Sequence, residues 1–181
     1  MELMNTLKSW STTRNLILSF VASVTVIILL GYGLQVLVYN VYGNYVMPDT
    51  RFGYTFEEIQ AVFDGLGAGG LQAWTMVHLL DYIFPLVYSF GIIFAMGLEL
   101  KKMDLFDKYN KIMFFPILGC LADYTENILV QTQVQAYPNL SAAIINLANY
   151  VTLTKWTLLA LSFGVILILL FLILYQRLSS K

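Results

Sequence analysis

Apolar residues run along this chain in four long blocks, 15–38, 73–98, 112–134 and 141–176, and the polar positions collect in the stretches between them. Each block reaches the ~20 residues that a helix needs to cross the hydrocarbon core of a bilayer. The pattern therefore predicts an all-α integral membrane protein, a four-transmembrane-helix bundle that forms a single membrane domain over residues 1–181. Between the first two blocks the polarity takes on a helical period. Thr55 and Glu58 have capping-box spacing, and Ile59, Val62 and Phe63 follow on one face. This predicts a short amphipathic surface helix at about 55–65 in the first extracytoplasmic loop, lying apolar face down on the membrane. Tyr39, Tyr42, Tyr45, Tyr54 and Trp74 flank it as an interfacial aromatic belt.

Composition agrees with the pattern. Hydrophobic residues make up 59% of the chain, charged residues 12%, and the mean hydropathy is +0.72, whereas in soluble domains about a quarter of residues are charged. Lys8 and Arg14 precede the first block as they would a signal peptide. That block is longer than the roughly 7–15 residue apolar core of such peptides, and no small-x-small pattern follows it, so it reads as an uncleaved helix. The lone Cys120 falls inside the third block and excludes an internal disulfide framework.

Charge sets an expected orientation. Lys8, Arg14, Lys101, Lys102, Lys108, Lys111, Arg177 and Lys181 all fall on one side of the predicted spans, and the loops on the other side carry Arg51 alone. The positive-inside rule then places both termini in the cytoplasm. With a net charge of −1 and no basic run interleaved with aromatics, a nucleic-acid partner is excluded.

Two motifs dissolve in context. Gly65–Gly70 matches G-x-G-x-x-G, but a helix precedes it and a span follows, where a dinucleotide site needs a strand and a βαβ unit. It reads as an elbow between surface helix and second span. Asn139-Leu140-Ser141 matches a glycosylation sequon, and Ser141 more simply caps the fourth helix. No P-loop, G-x-S-x-G, H-E-x-x-H or C-x-x-C occurs.

The chemistry lies in the ionisable residues inside the blocks. Carboxylates at such depth cost roughly 2.5–3.5 kcal/mol each on insertion scales, so they are normally buried, paired and functional. The third block holds Asp123, Tyr124, Glu126 and Asn127, and the second holds His78 and Asp81 on one helical face beside Tyr82 and Pro85. Pro85 should kink its span and open room beside Asp81. The fourth block supplies Lys155, and Gln35 on the first reaches a similar height at 1.5 Å rise per residue. These groups predict an acidic pocket in the outer half of the bilayer, opening to the extracytoplasmic side and closed below by apolar packing.

The expected function is to bind and transform a small amphipathic or lipidic molecule. Asp123 and Glu126 would form the acid/base pair, with Asp81 and His78 as catalytic partners. Asn127, Tyr82, Tyr124, Lys155 and Gln35 would bind the ligand. Acidic residues on two spans make the layout similar to the emopamil-binding, sterol-isomerase kind of four-helix membrane protein, with no shared motif string and no residue role carried over. His78, Asp81, Asp123 and Glu126 also offer a divalent-metal site, although one histidine excludes sites that need two or three imidazoles. Proton or cation transport, ligand sensing, and a structural role as a small subunit remain open, as do homo-oligomers and larger membrane complexes. Each residue also has a plainer use. Lys155 can snorkel to headgroups, His78 can face interfacial water, and Asn127, Gln131 and Gln133 can bond one helix to another. The carboxylates can serve as a buried ion-pair network that holds the bundle together.

Overall fold

The computed structural model describes residues 2–179 except the side chain of Asp49, so Lys181 of the basic tail lies outside the described residues. Four helical stretches are long and apolar enough to span a membrane: Thr13–Tyr42, Phe56–Lys102, Phe106–Ala136 and Ala142–Ser179. Each contains most of one predicted block and extends past it. No strand occurs among the described residues, which removes the βαβ context that a dinucleotide fingerprint requires.

The chain begins with a helix that the reading above lacks, α1 (Glu2–Trp10). Leu3, Met4, Leu7 and Trp10 give it an apolar stripe, of which Leu7 is buried. Thr12 then caps α2 (Thr13–Gly33), its side chain accepting from the amide of Asn15 at 3.2 Å. A π-helical turn, Leu34–Tyr39, carries the helix on to Tyr42. No side chain of α2 is buried. This helix leans on the bundle and is not enclosed by it.

In α3 (Phe56–Asp81) the capping box forms as the spacing predicts: Thr55 Oγ1 accepts from the Glu58 amide at 3.2 Å, and Glu58 Oε2 accepts from the Thr55 amide at 2.8 Å. The elbow falls at Gly67, with φ 60° and ψ −180°. Such a conformation is essentially restricted to glycine. A Cβ at this position would meet no atom within 4 Å, so replacement acts through the backbone alone. Gly67→Ala should therefore cost about 1–3 kcal/mol by strain, seen as a lower unfolding temperature in detergent; an unchanged transition would show that the elbow is not strained.

The segment before the elbow differs from the expectation in one respect. Its apolar face does not lie free for a membrane. Ile59, Val62, Phe63 and Leu66 are buried against Val38, Met47, Val130, Ile145 and Ala148. Helix α6 (Ala142–Ser179) has 38 residues, about 57 Å at 1.5 Å per residue, longer than the hydrocarbon core of a bilayer at about 30 Å. Its first turns, with the last turns of α5 (Phe114–Ala136), form a protein surface on which the segment packs. Tyr137 ties the turn between α5 and α6 to it, donating to Asp64 Oδ1 at 3.1 Å. That bond pushes the Tyr137 hydroxyl above its usual pKa. Ser141 caps α6 as expected, accepting from the Ile144 amide at 3.4 Å.

Pro85 breaks the second span where it should. Helix α3 ends at Asp81, and α4 (Phe84–Lys102) begins with the proline in its first turn. Pro85 has no N–H to offer the carbonyl of Asp81 four residues earlier, so the ladder stops there. Helix α4 is the central support. Helix α2 approaches it closely at Gly91, where an added Cβ would come 3.6 Å from Ser19 Cβ, while α5 and α6 pair along their lengths and both contact α4. At the C-terminal end of α4 Lys101 Nζ donates to the carbonyls of Lys8 at 3.2 Å and Ser11 at 2.8 Å, and Lys8 reaches Asp107 at 2.9 Å. Leu7, Leu100, Phe106, Met113 and Leu169 form one apolar cluster near these contacts.

Candidate functional site

Between α2 and α6, floored by α4, runs a partly open cavity of about 750 Å³. Helix α2 contributes Leu16, Phe20, Ser23, Ile27 and Leu30, α4 contributes Tyr88, Gly91 and Ala95, and α6 contributes Leu159, Phe163 and Ile166. From Leu16 to Leu34 it follows α2 for about 27 Å at helical rise. The walls are apolar over most of this length. The end near Leu34 is not: His78, Asp81, Asp123, Lys155 and Thr50 gather there with Trp74 and Trp156.

Each ionisable group at this head is held by a different element. His78 is buried and stacks on Trp74, one helical turn earlier, with ring centroids 4.1 Å apart. Its Nδ1 lies 3.2 Å from Gln131 Oε1 on α5, and its Nε2 lies 4.0 Å from Asp81 Oδ2. Asp81, at the broken end of α3, keeps 14% side-chain exposure and accepts from Asn127 Nδ2 at 3.0 Å. Asp123 accepts from the Tyr88 hydroxyl at 2.8 Å and faces Lys155 Nζ at 3.5 Å.

Lys155 also meets Glu126 Oε2 at 2.5 Å. Glu126 is wholly buried and does not line the cavity. Its other oxygen lies 2.5 Å from Thr152 Oγ1, which is 3.1 Å from the Tyr54 hydroxyl. Thr152 Oγ1 also lies 2.9 Å from the Ala148 carbonyl; its one proton goes to the nearer and charged acceptor, the carboxylate, and the Tyr54 hydroxyl donates to Thr152. One ammonium thus serves two carboxylates, and the pair expected to share a pocket is divided by it. Asp123 faces the void and Glu126 stands behind.

The remaining predicted residues scatter. Asn127 is buried and supports Asp81. Tyr82 and Tyr124 do not line the cavity; they hold each other, the Tyr124 hydroxyl donating to the Tyr82 carbonyl at 2.7 Å. Gln35 is exposed on the π-helical turn after α2 and bonds to Asn40 at 2.7 Å. Of the plainer uses, Gln131 and Gln133 do join segments, Gln133 Oε1 accepting from the Ser141 amide at 2.7 Å. Tyr88, Trp156 and Thr152 are the participants that sequence reasoning missed. Thr152 lies three residues before Lys155 and Trp156 directly after it, a proximity that marks them only once Lys155 is known to face inward.

The polar end is covered by the segment before α3. Trp156 Nε1 donates to the Arg51 carbonyl at 2.8 Å, Phe52 stacks on Trp156 at 5.6 Å, and the Tyr54 amide donates to Asn149 Oδ1 at 2.9 Å. The expected apolar closure beyond the ionisable groups is absent; the cavity continues to Leu16, Ala95 and Ile166, where α2 and α6 each lean on α4 and leave a gap above it. Among the described residues no three of His, Cys, Asp and Glu come together as a metal site.

Fold and site together define an all-helical protein with four membrane-length helices around a partly open apolar cavity that has an ionisable head. No family model, curated protein or solved structure matches the chain.

Proposed function

We propose that this is a multi-pass membrane protein, both termini cytoplasmic, that holds a lipid-like molecule with its tail between α2 and α6 and its polar end at His78, Asp81 and Asp123. The observation that carries this reading is the long apolar cavity with ionisable side chains confined to one end. Its volume falls in the roughly 300–1,000 Å³ range of ligand sites. Hydrocarbon fills the walls without leaving polar groups unpaired, and the head offers acceptors to a polar group.

The ligand is transformed by acid/base chemistry at the head. Asp81 is the carboxylate best placed to take a proton: it lines the cavity, retains exposure and has no Lys or Arg partner among the described residues. Asp123, bonded to Tyr88 and facing Lys155, contributes a fixed charge beside it. Entry is lateral, from the acyl chains between α2 and α6, because the Arg51–Tyr54 segment covers the outer end.

Native mass spectrometry of protein purified in mild detergent, followed by solvent extraction, tests the reading. Lipid retained in fixed proportion to protein supports it; an empty cavity in every preparation sinks it. Ala95 lines the apolar stretch, and Ala95→Phe puts a ring into the void without touching the head. The substitution should sharply reduce retained lipid and leave the unfolding temperature unchanged or raised. Full retention by the variant would place the lipid elsewhere.

A further inference from the structure

This inference rests on the ligand site proposed above and names the part of the ligand that the head selects. A chain of hydrogen bonds fixes the proton on His78. Thr75 Oγ1 donates its one proton to the Leu71 carbonyl at 2.9 Å, so toward Gln131 it can only accept. Gln131 Nε2 supplies that bond at 3.3 Å. Its amide oxygen is thereby turned to His78 Nδ1, 3.2 Å away. An amide oxygen only accepts, so Nδ1 carries the hydrogen and the lone pair of the neutral ring is at Nε2.

The Nε2 atom is buried and has no hydrogen-bond partner. Its neighbour is another acceptor, Asp81 Oδ2, at 4.0 Å, and Asp81 is held in place by Asn127. Two acceptors do not bond to each other, so the lone pair at Nε2 still calls for a donor. Both residues line the cavity head. We infer that the head recognises a lipid hydroxyl, which donates to His78 Nε2 beside Asp81, and that Gln131 and Thr75 are positioning residues that keep Nε2 unprotonated. A hydroxyl is favoured over an ammonium because it leaves water for an apolar channel at far smaller desolvation cost. An alkyl chain without a donor leaves Nε2 unmet, and sites of this kind discriminate strongly against ligands that lack the expected group.

The chain has one histidine, so ring-labelled His gives a single pair of nitrogen resonances. In lipid nanodiscs, solid-state NMR should show a protonated Nδ1 and an unprotonated Nε2. Gln131→Leu should lose that preference, and Gln131→Glu, which keeps an acceptor, should retain it. Thr75→Val, which removes only the outer link, should weaken it and serves if Gln131→Leu does not fold. Adding 1-hexadecanol should shift the Nε2 resonance, while hexadecane should not. A wild-type ring protonated at Nε2 or at both nitrogens overturns the positioning role. An Nε2 resonance unmoved by hexadecanol, or moved equally by hexadecane, overturns hydroxyl recognition. Either result can occur with lipid still retained by the purified protein, which separates it from failure of the site itself.

Discussion

Lys155→Met should be the most destabilising single change described for this chain. The substitution preserves much of the stem volume and removes the ammonium that faces Asp123 at 3.5 Å and Glu126 at 2.5 Å. Removing one partner of a buried ion pair costs about 3–5 kcal/mol, because the charge left behind has lost both water and its counterion. Native stabilities are only about 5–15 kcal/mol, so a large share of the total is at stake. Glu126 has no route to solvent, being wholly buried beside Thr152. The second change Glu126→Gln, added to Lys155→Met, should recover part of the loss, because the new amide oxygen still accepts from Thr152 and the one carboxylate left without its ammonium, Asp123, faces the cavity and keeps the Tyr88 hydroxyl. The checks are thermal unfolding and recovery as a monodisperse species in mild detergent. A single variant as stable as the wild type would show that the ammonium does not compensate these carboxylates.

The largest effect on chemistry is expected from Asp81→Asn. The replacement is isosteric, and its amide oxygen can keep the 3.0 Å bond from Asn127. It cannot take a proton. General acid–base groups typically contribute about 10²–10⁴-fold to rate, so conversion of the retained lipid should fall by a factor in that range while lipid retention and unfolding temperature stay close to the wild type. Asp123→Asn should differ in kind: Lys155 keeps Glu126, Tyr88 keeps an acceptor, and the loss is of a neighbouring charge, not of the proton carrier. Conversion undiminished in Asp81→Asn would remove Asp81 from the reaction.

How far the sequence announces all this varies by element. The four long helices follow from length and hydropathy, the start of α3 from Thr55 and Glu58, its elbow from the glycine run, and the end of α3 from Pro85, because each depends on local chemistry. Helix α1 has a local signal in Leu3, Met4, Leu7 and Trp10, but at nine residues it is far shorter than the apolar runs that follow. The packing of Ile59 and Phe63 has none, since an amphipathic face looks the same whether membrane or protein covers it. At the site, helical periodicity finds His78 and Asp81 together. It cannot tell that Lys155 separates Asp123 from Glu126, or that Gln35 turns outward, because those facts depend on how helices rotate against one another. The charges were legible as exceptional; their pairing was not.

The cover formed by Arg51, Phe52 and Tyr54 over the polar end has a consequence for supply. In the proposed orientation a guest stands upright, headgroup toward the cell exterior and chain toward the midplane. That is how molecules of the outer monolayer already stand, so exchange needs no tumbling across the bilayer. Turnover would then track the abundance of the guest in that monolayer alone, and a pool made on the cytoplasmic face would be invisible to the protein until some other agent flipped it.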